Sequence, residues 1–141
     1  MDETLRAAYA AAVYEAELPA GRITFRVGAV PRGPAPVEPL AIVTAYNPGH
    51  ARPGEVDNRA ANERLAATLA RAGWDFHHAL GRSADGRHRE PSFAVAGIDV
   101  DRALAIARRF GQAAILYWNG SEARLAWTDA RRPAPRRQSA P

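Results

Sequence analysis

The chain has 141 residues, 47% of them hydrophobic, and no cysteine. That length suits one domain with a real core, and the missing thiols exclude disulfides and thiolate metal sites. The net charge is +4 with every basic residue an Arg, but Thr128–Pro141 alone carries +3 of it, so the body lacks the electrostatic footprint of a nucleic-acid binder.

Asp2 or Thr4 can cap a first helix whose apolar residues are Leu5, Ala8, Tyr9, Ala12, Val13 and Ala16, at helical spacing. Pro19-Ala20-Gly21 stops it. Ile23, Phe25 and Val27 alternate with polar residues and predict a half-buried strand. Pro31 to Pro39 holds four prolines without periodicity, which predicts an extended loop. Leu40 to Tyr46 is a near-continuous apolar run, as in a strand buried on both faces. A second helix starts near Pro53 or Val56 and ends at Arg71, before Gly73, with Glu55 and Asp57 at its positive end.

Trp74 to Leu80 and Pro91 to Ile98 predict two strands joined across Asp85-Gly86. Asp99 caps a third helix, Val100 to Phe110, and Gly111 follows its end. Ala113 to Trp118 and Ala123 to Trp127 predict a hairpin with Asn119-Gly120 as a type I′ turn. The expected fold is α+β: one mainly antiparallel mixed sheet of about five to six strands, with three helices packed on it. The expected domain spans 1–127, and the Arg/Pro-rich tail 128–141 is expected to be disordered. An acidic N-terminus, with no apolar run of spanning length, points to a soluble cytoplasmic chain without membrane contact.

Five polar residues stand out. Asn58 and Asn62 share a helix face with Leu65 and Leu69, and buried carboxamides must be hydrogen-bonded. Asn47 ends the second strand, Glu90 opens another, and Gln112 opens the strand after the third helix. Together they can bind a neutral or zwitterionic small molecule at the strand-two/helix-two end. The same residues can equally be structural: Asn47-Pro48 a turn, the two helix amides ties for the loop, Glu90 an ion-pair partner, Gln112 a cap on loop carbonyls.

No catalytic motif is present. Ser92 and Ser121 lack a nucleophile-elbow context, and Gly81 to Gly86 is a hairpin turn rather than a phosphate loop. Adjacent His77 and His78 point to opposite faces of a strand, and no spacing supports a metal site built from His50, His78, His88 and Glu90. No cofactor is expected. The alternatives to ligand binding are a homodimeric interaction module with a structural polar cluster, and nucleic-acid association through the Arg tail.

Several motifs occur in one order: Thr44-Ala45-Tyr46-Asn47-Pro48, then Asn58 and Asn62, then Glu90-Pro91-Ser92-Phe93, then Arg108-Arg109-Phe110-Gly111-Gln112 before Ala114-Ile115. In these the chain, over roughly Tyr9 to Trp127, resembles the bacterial domain of unknown function family 3293. The resemblance implies a set of positions and no activity. His50 stands where such proteins are expected to carry a small hydroxyl residue.

Overall fold

The stretch expected to be one long first helix breaks in two. In the computed structural model, which describes residues 3–48 and 51–129, Glu3–Ala11 is a helix (α1) and Val13–Leu18 a strand (β1). The alanines favour a helix, but Tyr14, Ala16 and Leu18 are buried while Glu15 and Glu17 between them are not. That is the period of a pleated strand. Pairing on both sides fixes it: six residues of β1 pair with Gly21–Arg26 (β2), and four pair with Asp75–Arg82 (β4). Tertiary pairing here overrides intrinsic propensity.

The other elements are Leu40–Val43 (β3), Glu55–Arg71 (α2), Arg89–Ala96 (β5), Val100–Arg109 (α3), Ala114–Trp118 (β6) and Ala123–Trp127 (β7). The α+β class holds, but the sheet has seven strands rather than five to six, in the order β2-β1-β4-β5-β3-β6-β7. All its pairs are antiparallel, so it is not mixed. No described helix is long and apolar enough to cross a membrane.

Strand β3 is central and buried along its whole length. Its alternate residues enter two different cores. Ala41 and Val43 join Leu65 and Leu69 of α2 and Ala103 and Ala107 of α3. Leu40 and Ile42 face the other way and pack with Ile23, Phe25, Leu116 and Trp118. A continuous apolar run is what a strand with a core on each face requires. The second core exists because the sheet curls. Gly28 N, just past β2, donates to Ala123 O of β7 at 2.9 Å, and the Phe25 and Trp118 rings lie 6.2 Å apart. The strands at opposite ends of the pairing order thus approach each other.

Helix ends follow their local chemistry. Asp99 caps α3 by accepting from Arg102 N at 3.1 Å, and Gly111 takes φ +71° just beyond it. The β6–β7 strands end where expected, but the turn does not take the type I′ form expected at Asn119-Gly120. Trp118 pairs with Ala123, so the loop has four residues, and Asn119 does not adopt positive φ. Its side-chain oxygen instead accepts from the N–H groups of Ser121 and Glu122, folding the loop around itself. Thr128 still belongs to the body: its N–H donates to Ala113 O and its hydroxyl to Gln112 O. The rest of the expected tail, from 130 onward, lies outside the described residues, as does His50.

Candidate functional site

Strand β3 was expected to reach Tyr46 and stops at Val43. Beyond that point the neighbouring strand β5 presents Pro91, which has no N–H to donate. Side chains take over from the ladder. Asn62 Oδ1 accepts from Ala45 N at 3.0 Å, and its Nδ2 donates to Pro91 O at 3.3 Å. The Thr44 hydroxyl donates to Pro91 O and accepts from Tyr46 N. Gln112 Nε2 donates to Tyr46 O at 3.0 Å. Tyr46 in turn donates its hydroxyl to Glu55 at 2.9 Å, fastening the loop to the first turn of α2.

Asn47 is the pivot of this loop. It has φ +48°, the only positive φ of a non-glycine among the described residues. Asn tolerates that region better than most side chains. Asn58 grips it twice: Oδ1 accepts from Asn47 N, and Nδ2 donates to Asn47 Oδ1, both at 2.9 Å. With its own carbonyl so held, the Asn47 amide turns its Nδ2 to Glu90 Oε2, 2.9 Å away. All five polar residues singled out from the sequence are therefore linked around residues 45–47. Asn58, Asn62 and Gln112 are buried, and each makes a hydrogen bond to backbone of residues 45–47. Asn47 and Glu90 line an open cavity.

That cavity has a volume of about 480 Å³ and lies between α1 and the β4–β5 hairpin. Tyr9 and Tyr14 form its apolar side, and Arg52, Arg82, Arg87 and His88 its polar rim. Glu90 Oε2 is engaged by Asn47, while Oε1 accepts no hydrogen bond from a described residue. Burial raises the Glu90 carboxyl above its ordinary value, against the opposing pull of the Asn47 bond, Arg52 and His88. Burial, reinforced by Glu90, likewise raises the Tyr9 phenol. Tyr14, which donates to Tyr9 O at 3.1 Å, is raised by burial too. The rim is not uniformly free: Arg82 approaches Glu15 at 3.7 Å and Arg87 approaches Asp85 at 4.0 Å. The basin thus offers one part-buried acceptor deep inside and several cations at the mouth.

Sequence reasoning found Asn47 and Glu90 but missed Tyr9, Tyr14, Arg52 and Arg82. The Tyr14-Ala16-Leu18 alternation was the available signal. Read as a strand, it would have placed Tyr14 on a sheet, where β1–β4 pairing sets it against Gly81. The histidines stay apart from one another's chemistry: His77 meets Asp75 at 3.0 Å, and His78 lies against Phe93. Among the described residues no group of three or more His, Asp or Glu is placed to hold a metal ion.

The loop, the α2 amides, Glu90 and the end of α3 all fall within residues 43–115, which match the family described as "Protein of unknown function (DUF3293)". The chain belongs to this family. No curated protein and no solved structure matches it. The DUF3293 match ends at Ile115 and begins at Val43, so α1 and β1, which wall one side of the basin, lie outside it.

Proposed function

We propose that the protein is a small-molecule binding module whose ligand sits in the basin beside Asn47 and Glu90. The observation that carries this reading is the Asn47–Glu90 pair itself: a strained-region asparagine, held by Asn58, aims its amide at a carboxylate that lines a 480 Å³ cavity. Sites of this size, with a few placed polar groups on an apolar wall, are typical of ligand pockets. Glu90 suits a hydrogen-bond donor or an ammonium group, and the Arg52 side of the mouth suits a carboxylate or phosphate. A zwitterionic ligand meets both. Ser83, which also lines the basin, donates its hydroxyl to Asp85 at 2.6 Å, but that pair is exposed and lies in the β4–β5 turn; the part-buried Asn47–Glu90 pair favours binding over hydrolysis.

The test is a thermal-shift panel of amino acids, amino-sugar phosphates and nucleotides. A ligand that binds only the folded chain must stabilise it, by about 2.7 kcal/mol at one hundred times its Kd. The expected hit raises the melting temperature of the wild type and does so far less for Glu90→Gln and Arg52→Gln. A shift that survives both substitutions unchanged would place the ligand elsewhere and overturn the reading.

A further inference from the structure

We infer a second binding site, on the other side of the 44–48 loop, for a small oxyanion carried on an apolar body. A groove of about 460 Å³ separates one flank of α2 from the end of α3. Ala61, Arg64, Thr68 and Arg71 line it along α2. Their spacing of three, four and three residues keeps them on one helical face. Arg109 and Phe110 line the opposite wall. The Arg109 guanidinium lies 5.9 Å from the centre of the Phe110 ring, which holds its charge over the apolar floor.

No carboxylate pairs with the charge in this groove among the described residues, although Arg71 and Arg109 lie in the last turns of their helices. Elsewhere the helices pair their arginines with carboxylates one turn away, as in Arg59 with Glu55 and Arg102 with Asp99. Around Arg64 the residues three and four away are Ala60, Ala61, Ala67 and Thr68, and around Arg71 they are Ala67, Thr68, Trp74 and Asp75. Only Asp75 is acidic, and it lies on β4 and pairs with His77. None of Arg64, Arg71 and Arg109 forms an ion pair with a described residue. Three guanidinium groups on an apolar bed match an anionic head and a hydrophobic body.

The floor is built by a close approach. A Cβ on Gly111 would sit 2.9 Å from Pro48 Cβ, and Gly111 has φ +71°. A glycine is needed there on both counts. It lets Pro48 reach the end of α3 and close the groove between the two helices. This site shares the 44–48 loop with the Glu90 basin but none of its side chains: Ala45 and Pro48 face the groove, Asn47 the basin.

Phenyl phosphate is the probe, with inorganic phosphate as its comparison, each titrated into the full chain while backbone amide NMR shifts are followed. Saturable shifts are expected at Ala61, Arg64, Thr68 and Gly111. Phenyl phosphate is expected to bind about ten-fold more tightly than inorganic phosphate, because its ring covers the apolar floor. The double variant Arg64→Gln/Arg109→Gln should lose about ten-fold or more in affinity while the remaining amide pattern stays native. Because both arginines are exposed, the fold is expected to tolerate the change, and the single variant Arg71→Gln serves as a second reading of the same loss. Shifts centred on Gly81, Ser83 and Arg87 would assign the anion to the basin instead and overturn the proposal. Equal binding of the two phosphates, or affinity undiminished in the arginine variants, would overturn it as well.

Discussion

Asn47 and Glu90 are 43 residues apart in sequence and 2.9 Å apart in space, joined by an amide N–H that Asn58 leaves no other direction to take. The bond ties the end of β3 to the start of β5 at the one place where their backbone ladder has stopped. It also separates the polar residues into two groups: amides that hold the loop, and the pair that the loop presents.

Asn62→Ala should cost about 2 kcal/mol or more in equilibrium urea unfolding, because it strands the buried Ala45 N–H and removes a donor to Pro91 O. Asn58→Ala should cost a similar amount, since it frees both Asn47 N and Asn47 Oδ1. A loss below about 0.5 kcal/mol in either variant would show that water replaces these amides readily, and that they do not hold the loop.

At Asn47 the backbone and the side chain can be tested separately. Asn47→Gly and Asn47→Ala both remove the amide, but only Ala is penalised for its φ of +48°. The alanine variant should therefore be the less stable of the two by about 1 kcal/mol. Equal stabilities would mean that the loop relaxes out of the left-handed region once the side-chain bonds are gone.

Glu90 gives the stability a pH dependence with a definite sign. Its carboxyl is raised above the ordinary 4.5 by burial, so the folded chain holds the proton longer than the unfolded chain does. The unfolded state then binds fewer protons in the window just above 4.5, and stability falls as pH rises through it. Glu90→Gln has no such titration. Its stability relative to wild type should increase as pH rises above about 4.5 and level off once the folded carboxyl has ionised, as read by urea midpoints at half-unit steps. A difference that stays flat over that range would show that Glu90 is not desolvated in solution.

Trp118 is buried, and its indole N–H is the one buried side-chain polar atom among the described residues without a hydrogen-bond partner. Trp118→Phe removes that unpaired donor along with some packed area against Phe25. The two effects oppose, and the variant should stay within about 1 kcal/mol of wild type. Trp118→Ala should lose about 3 kcal/mol or more. Calorimetric or denaturant unfolding of the pair separates packing from hydrogen bonding.

The strands that carry the helix-side core were legible because their signals were local. Leu40 to Val43 showed its two-sided burial as an unbroken apolar run, and Asp99 and Gly111 marked the ends of α3 by cap chemistry. Strand β1 was not legible as a strand in the same way. Its Ala and Glu residues fit a helical period as well as a pleated one, and the choice was made by partners at positions 21–26 and 79–82. That single ambiguity hid Tyr14 and the wall of the basin. The amide cluster was visible from two asparagines on an apolar helix stripe. Their division of labour was not, because it depends on Pro91 ending the ladder opposite Ala45, a register that only the fold supplies.

The curl of the sheet and the loop after β2 also cover part of the sheet's own edges. Exposed outer strands invite a neighbour to add a strand of its own. Here the rim of β2 is already occupied: Thr24 exchanges both backbone hydrogen bonds with Arg32 of the proline-rich loop, at 2.9 Å each. Past it, Gly28 takes the Ala123 carbonyl at the start of β7. An added strand would have to displace Arg32 to pair at Thr24, and Gly28 to pair at Ala123, so a loop that otherwise looks like mere connection takes up backbone groups that the two outer strands would leave open.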